Sequence, residues 1–112
     1  MEVYWKNYKI KQLFESEQAL LDMGFDKKEA KKAFKAIANI VSVTSINQLP
    51  KNMRCHPIKE GKKFIYFAVD IPSIGGRQGK NRIIFVPVGE EYDLTDLKTI
   101  NKVEIQGIKD HH

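Results

Sequence analysis

The sequence is short of cysteine: Cys55 is the only one among 112 residues. A lone thiol excludes an internal disulfide and a paired-cysteine metal site, and it fits a reducing, intracellular setting. Also missing is any apolar run near the roughly 20 residues that a membrane-spanning helix requires. Residues 1–11 set Tyr4, Trp5 and Tyr8 among Lys6, Lys9 and Lys11 and contain no apolar core of the kind a secretory signal carries. Repeats, linkers and low-complexity tracts are absent too. One domain over residues 1–112 is therefore expected, soluble, cytoplasmic and away from membranes.

What the chain does have is positive charge. Its 19 Lys and Arg outnumber 14 Asp and Glu, a net charge of +5 that favours RNA, DNA or an acidic protein segment as partner. The charge is unevenly spread. Gly75, Gly76 and Gly79 with Arg77 and Lys80 form a cationic turn whose backbone N–H groups can crowd around an anion, because glycine accepts positive φ and has no side chain in the way. Arg82 follows at the base of the apolar run Ile83, Ile84, Phe85 and Val86, so the turn presents charge and a strand holds it still.

Along the chain, residues 2–5 are β-formers and predict an opening strand. From 10 to 23, Ile10, Leu13, Phe14, Leu20, Leu21 and Met23 recur at helical intervals, and Gly24 stands where a C-terminal cap belongs. Asp26 reads as the N-cap of a second helix, with Glu29 at the spacing of a reciprocal capping box. Ala30, Ala33, Phe34, Ile37 and Val41 share one face of that helix, while Lys27, Lys28, Lys31, Lys32 and Lys35 cover much of the rest. These lysines form either a solvated face or a surface that follows a phosphate backbone. The stretch 19–30 resembles the start of a ubiquitin-associated domain, but residues 40–44 turn β-branched and polar where that domain needs a third helix.

After Pro50 the pattern becomes strand-like. Short strands are expected within 53–58, 63–71, 82–88 and 102–108, with a turn at 60–62 and a short helical turn inside 90–101. The sum is an α+β fold: a helical hairpin packed on a twisted antiparallel sheet.

The candidate chemistry falls in the β-rich half. Arg54, His56, Lys59, Glu60, Arg77, Lys80, Arg82, Asp110, His111 and His112 are expected at strand edges and turns of one small sheet. Metal-free RNA cleavage needs a base for the 2′-hydroxyl, cations for the charge growing on the phosphate, and an acid for the leaving 5′-oxygen. His and Glu suit the proton transfers, and Arg and Lys suit the phosphate. The plainer alternatives are that the terminal histidines are a frayed end or a tag remnant, that His56 is merely extended before Pro57, and that Arg82 is an ion-pair partner. A metal site on His56, His111 and His112 lacks recognised ligand spacing, and no cofactor is expected.

The order of these features resembles the RelE/HigB toxins of bacterial toxin–antitoxin modules. The resemblance rests on Met53-Arg54-Cys55-His56-Pro57-Ile58-Lys59-Glu60-Gly61, Phe64-Ile65-Tyr66-Phe67, Asn81-Arg82-Ile83-Ile84-Phe85, Val103-Glu104-Ile105 and the ending Asp110-His111-His112. It implies a small basic protein that cleaves mRNA, often on the ribosome, and is silenced by a cognate antitoxin. By the same resemblance Arg82 would stabilise the scissile phosphate, and His112 would act as general acid or base. His111 would replace a tyrosine and Asp110 would precede the pair. Glu60 would move protons, with Arg54, His56, Lys59, Arg77 and Lys80 on the substrate. Two departures are a long Gly-rich loop over 71–80 and an insertion at 90–101. The alternatives are a ParE-like inhibitor of a protein target such as gyrase, without catalytic residues, and a basic RNA-binding domain.

Overall fold

The computed structural model describes residues 1–71 and 81–110, the last of these by its backbone. Among these residues five strands form one sheet in the order β1-β5-β4-β3-β2, namely β1 (Glu2–Trp5), β2 (His56–Glu60), β3 (Lys63–Asp70), β4 (Asn81–Pro87) and β5 (Lys102–Asp110). Strands β2 to β5 pair antiparallel, whereas β1 runs parallel to β5, with Val3 beside Val103 and Trp5 beside Ile105. The sheet is therefore mixed, and the expected all-antiparallel sheet is corrected at this edge. A parallel partner needs a long crossover, which the helical segment between β1 and β2 supplies.

Among the described residues three helices stand where two were expected: α1 (Tyr8–Leu13), α2 (Glu17–Asp22) and α3 (Lys27–Ser42). The expected helix over 10–23 breaks because Ser16 is extended and its hydroxyl accepts from Ala19 N, which starts a new helix there. Asp26 does cap α3, its Oδ1 accepting from Glu29 N at 2.7 Å. Glu29 is turned elsewhere: its Oε2 accepts from Asn81 Nδ2 at 3.4 Å, which ties the first turn of α3 to the start of β4.

The core lies between α3 and the sheet. Ala30, Ala33, Ala36, Ile37 and Ile40 are buried on α3, and Phe67, Val69, Ile83, Phe85, Val103 and Ile105 are buried on the strands. Val41 was expected on this face but is 49% exposed, because the buried stripe runs 30, 33, 36–37, 40 and turns away before 41. Phe67 and Phe85 stack with centroids 5.8 Å apart, and burying each side chain contributes about 2 kcal/mol. The region 90–101 carries its short helical turn as a 3-10 turn at Leu97–Thr99, braced by the Thr99 hydroxyl on the Asp93 and Asp96 carbonyls.

Candidate nucleic-acid interface

Asp70 and Arg82 are register partners on β3 and β4. Asp70 is the one charged residue in the apolar run Phe64 to Ile71, and its side chain is only 4% exposed. A buried carboxylate is costly unless cations and donors meet it. Arg82 Nε donates to Asp70 Oδ1 at 2.7 Å, and Arg54 Nη1 stands 3.4 Å from Oδ2. Two guanidiniums thus meet one carboxylate. Arg82 is the inner of the two, 16% exposed, and Arg54 is the outer at 46%.

Arg54 reaches Asp70 through an unusual backbone. It follows a 3-10 turn at Lys51–Met53 and adopts φ 50, ψ 50, the left-handed region that residues with a Cβ seldom occupy. The bend turns the chain into β2 two residues later. There His56 Nδ1 donates to the Arg54 carbonyl. A carbonyl only accepts, so the proton of this bond sits on Nδ1 and Nε2 is the ring nitrogen left for other partners. Between them lies half-buried Cys55, whose thiol is pushed up to about 12 by burial; it stays protonated and is no nucleophile at neutral pH.

A cleft of about 220 Å³ opens beside this group, lined by Lys32, Lys35, Ala36 and Asn39 of α3 together with Asn52, Met53 and Asp70. Lys32 and Lys35 of α3 thus share a cleft with Asp70, the carboxylate that both arginines meet. Asp110, at the end of β5, pairs with Asn81, one residue from Arg82, and Lys109 pairs with Arg82 itself. Lys109 Nζ lies over the Tyr66 ring, 5.4 Å from its centroid. A larger hollow of about 440 Å³ between 88–92 and 99–102 carries Glu90 and Glu91, the wrong sign for a phosphate.

Arg54, His56, Arg82 and the backbone of Asp110 therefore share one end of the sheet. Lys59 and Glu60 do not. Glu60 pairs with Lys63 at the far end of β3, seven residues from Asp70, about 23 Å at the rise of a strand. Lys59 and Glu60 lie on β2 of the same sheet, as expected, but apart from Arg54, His56 and Arg82. Arg77, Lys80, His111 and His112 lie outside the described residues. Sequence reasoning missed Asp70, Asn39 and Asn52. For Asp70 the signal was present, as a lone acid in an apolar strand demands a cation; for the asparagines there was none.

Among the described residues no three His, Cys, Asp or Glu side chains are grouped to hold a metal ion, and no helix is long and apolar enough to cross a membrane. Fold and site together define a small basic α+β domain with a cationic cleft at one sheet end. No protein-family model, no curated protein and no solved structure matches the chain.

Proposed function

We propose that the chain is a toxin-like endoribonuclease of the RelE/HigB kind, which cleaves ribosome-bound mRNA without a metal and is silenced by a cognate antitoxin. The observation that carries the reading is the meeting of Arg54 and Arg82 on Asp70 with His56 bonded to the Arg54 backbone. In the reaction the 2′-oxygen of one nucleotide attacks the adjacent phosphorus and the bond to the 5′-oxygen breaks. The products are a cyclic phosphate and a free 5′-hydroxyl. One proton leaves the 2′-hydroxyl and one reaches the 5′-oxygen, so a base and an acid are required.

His56 Nε2 is suited to the first transfer, and His112, two residues beyond Asp110, to the second. Arg54 takes the non-bridging phosphate oxygens as the more exposed fork, and Arg82, clamped by Asp70, supplies the fixed positive field behind it. The test is induced expression of wild type beside His56→Ala, Arg54→Ala, Arg82→Ala and His112→Ala, with 5′ ends mapped by primer extension. New 5′ ends with wild type and at least tenfold fewer with folded His56→Ala and His112→Ala support the reading.

One observation favours a second reading, a non-catalytic binding domain. Asp70 already engages Arg82 at 2.7 Å, which is what a structural ion pair requires. Growth arrest with intact mRNA, or no arrest at all, selects it.

A further inference from the structure

We infer that the lysine stripe of α3, formed by Lys27, Lys28, Lys31 and Lys35, is a second RNA-binding surface that holds the phosphodiester backbone of the substrate without reading its bases. The inference rests on the ribonuclease reading for its choice of RNA. All four lysines are exposed. Lys28 and Lys35 are seven residues apart, so the stripe runs about 10 Å along the helix. Glu29, the one acid of α3, is turned to Asn81, and Asp26 before it caps the first turn. Among the described residues none of the four lysines carries a salt bridge.

Helix stability alone would place these charges otherwise. Like charges at i, i+3 and i, i+4, as in Lys28 with Lys31, Lys27 with Lys31 and Lys31 with Lys35, oppose folding. Lys27 and Lys28 also sit in the first turn, at the positive end of the helix dipole, whereas the last turn, where a cation stabilises, holds none. A merely solvated helix face interleaves its lysines with acids, and this one does not. The arrangement works against the fold and suits a polyanion.

The surroundings of the stripe narrow the choice of polyanion. An anionic membrane would need the apolar face of the helix, and that face is buried in the core. An acidic protein would need aromatic or apolar anchors, but between Lys27 and Lys35 the large apolar residue is Phe34, which packs into the core. A phosphate backbone needs only spaced cations. Lys35 also lines the cleft that holds Asp70, the carboxylate that Arg54 and Arg82 meet, so a strand laid along α3 ends at the candidate site. Lys32 is half-buried in that cleft and no part of the stripe.

The experiment measures fluorescence anisotropy of the full chain with labelled 2′-O-methyl octamers of A, C and U, which have no free 2′-hydroxyl to attack the phosphate, over a range of salt. The variant is the triple substitution Lys28→Gln, Lys31→Gln and Lys35→Gln, since glutamine keeps the helix propensity and removes only the charge. The expected result is an affinity at low salt lower by about tenfold or more for all three octamers alike, with a slope of log K against log salt smaller by about 2. The urea midpoint of the variant stays level or rises, because the self-repulsion of the stripe is gone. Unchanged affinity and slope, a loss confined to one octamer, or a midpoint that falls as binding is lost overturns the stripe. So does a poly-glutamate peptide that displaces the octamers as well as unlabelled RNA of equal charge. Cleavage of unmodified octamers by wild type separates the two readings: cutting, with binding that the variant leaves unchanged, sinks the stripe alone, whereas neither binding nor cutting sinks the ribonuclease reading with it.

Discussion

Arg82 and Asp70 face each other across β4 and β3, with Nε to Oδ1 at 2.7 Å, and Arg54 closes on the other carboxylate oxygen from outside the sheet. The strand pair brings two opposite charges into the interior at a sheet end, and a third charge, Arg54, joins them from another element. The stability of that end thus runs through one carboxylate, as would the phosphate affinity of the proposed ribonuclease.

Removing the carboxylate takes the Asp70 ion pair from the largely buried Arg82. Asp70→Ala is expected to lose about 3 kcal/mol of stability, within the range for breaking one side of a buried pair. Urea unfolding checks it, and a loss below about 1 kcal/mol shows that the pair is solvated.

Arg54 behaves differently, because its ion pair is half exposed and its backbone is left-handed. Arg54→Gly relieves the backbone while removing a weak surface pair, so stability is expected to stay level or rise by up to about 1 kcal/mol. RNA affinity falls at the same time. A variant that is destabilised by as much as Asp70→Ala places the value of Arg54 in the fold and not in the ligand.

Glu60 lies at the opposite end of β3 from Asp70. Glu60→Ala is expected to retain growth arrest and mRNA cleavage within about twofold, the ordinary spread for a surface change away from the site. Loss of cleavage in a folded Glu60→Ala variant means that the substrate spans the whole strand.

Cys55 gives a pH signature. Its thiol ordinarily ionises near 9 but is pushed up to about 12 by burial, so between those values the unfolded chain releases a proton that the native chain keeps. Unfolding is therefore favoured as pH rises, with the contribution intact below pH 9 and eroding by about 1.4 kcal/mol per pH unit above it. Denaturation at pH 8 and pH 10 is expected to show a smaller loss in Cys55→Ala than in wild type. Alkylation by iodoacetamide at pH 8 is expected to be slow until the protein unfolds.

The cap of α3 is testable alone. Asp26→Ala loses the bond to Glu29 N and is expected to cost about 1 kcal/mol. Glu29→Ala is expected to act through Asn81 instead, which double-mutant analysis with Asn81→Ala reads as coupling.

Much of this fold was legible from local pattern. The α3 stripe, its Asp26 cap, the turn at Gly61, the β-forming runs of β3 and β4 and the alternation in β5 are properties of residues within a few positions of one another. Each was set by steric preference and by which side of an element meets water. By itself, then, the sequence determined a basic chain of α+β class, its long helix and four of its strand positions closely. The tertiary structure decided the rest. Whether β1 runs parallel or antiparallel to β5 depends on where the α1 to α3 segment carries the chain, and no periodicity in residues 2–5 records it. Arg54, Asp70 and Arg82 meet, and Glu60 stands apart from them, only because pairing register slides whole strands relative to one another. Register is chosen by the packing of Phe67, Phe85 and their neighbours against α3. A charged residue shows its type in the sequence; the carboxylate it meets is chosen by the core beneath it.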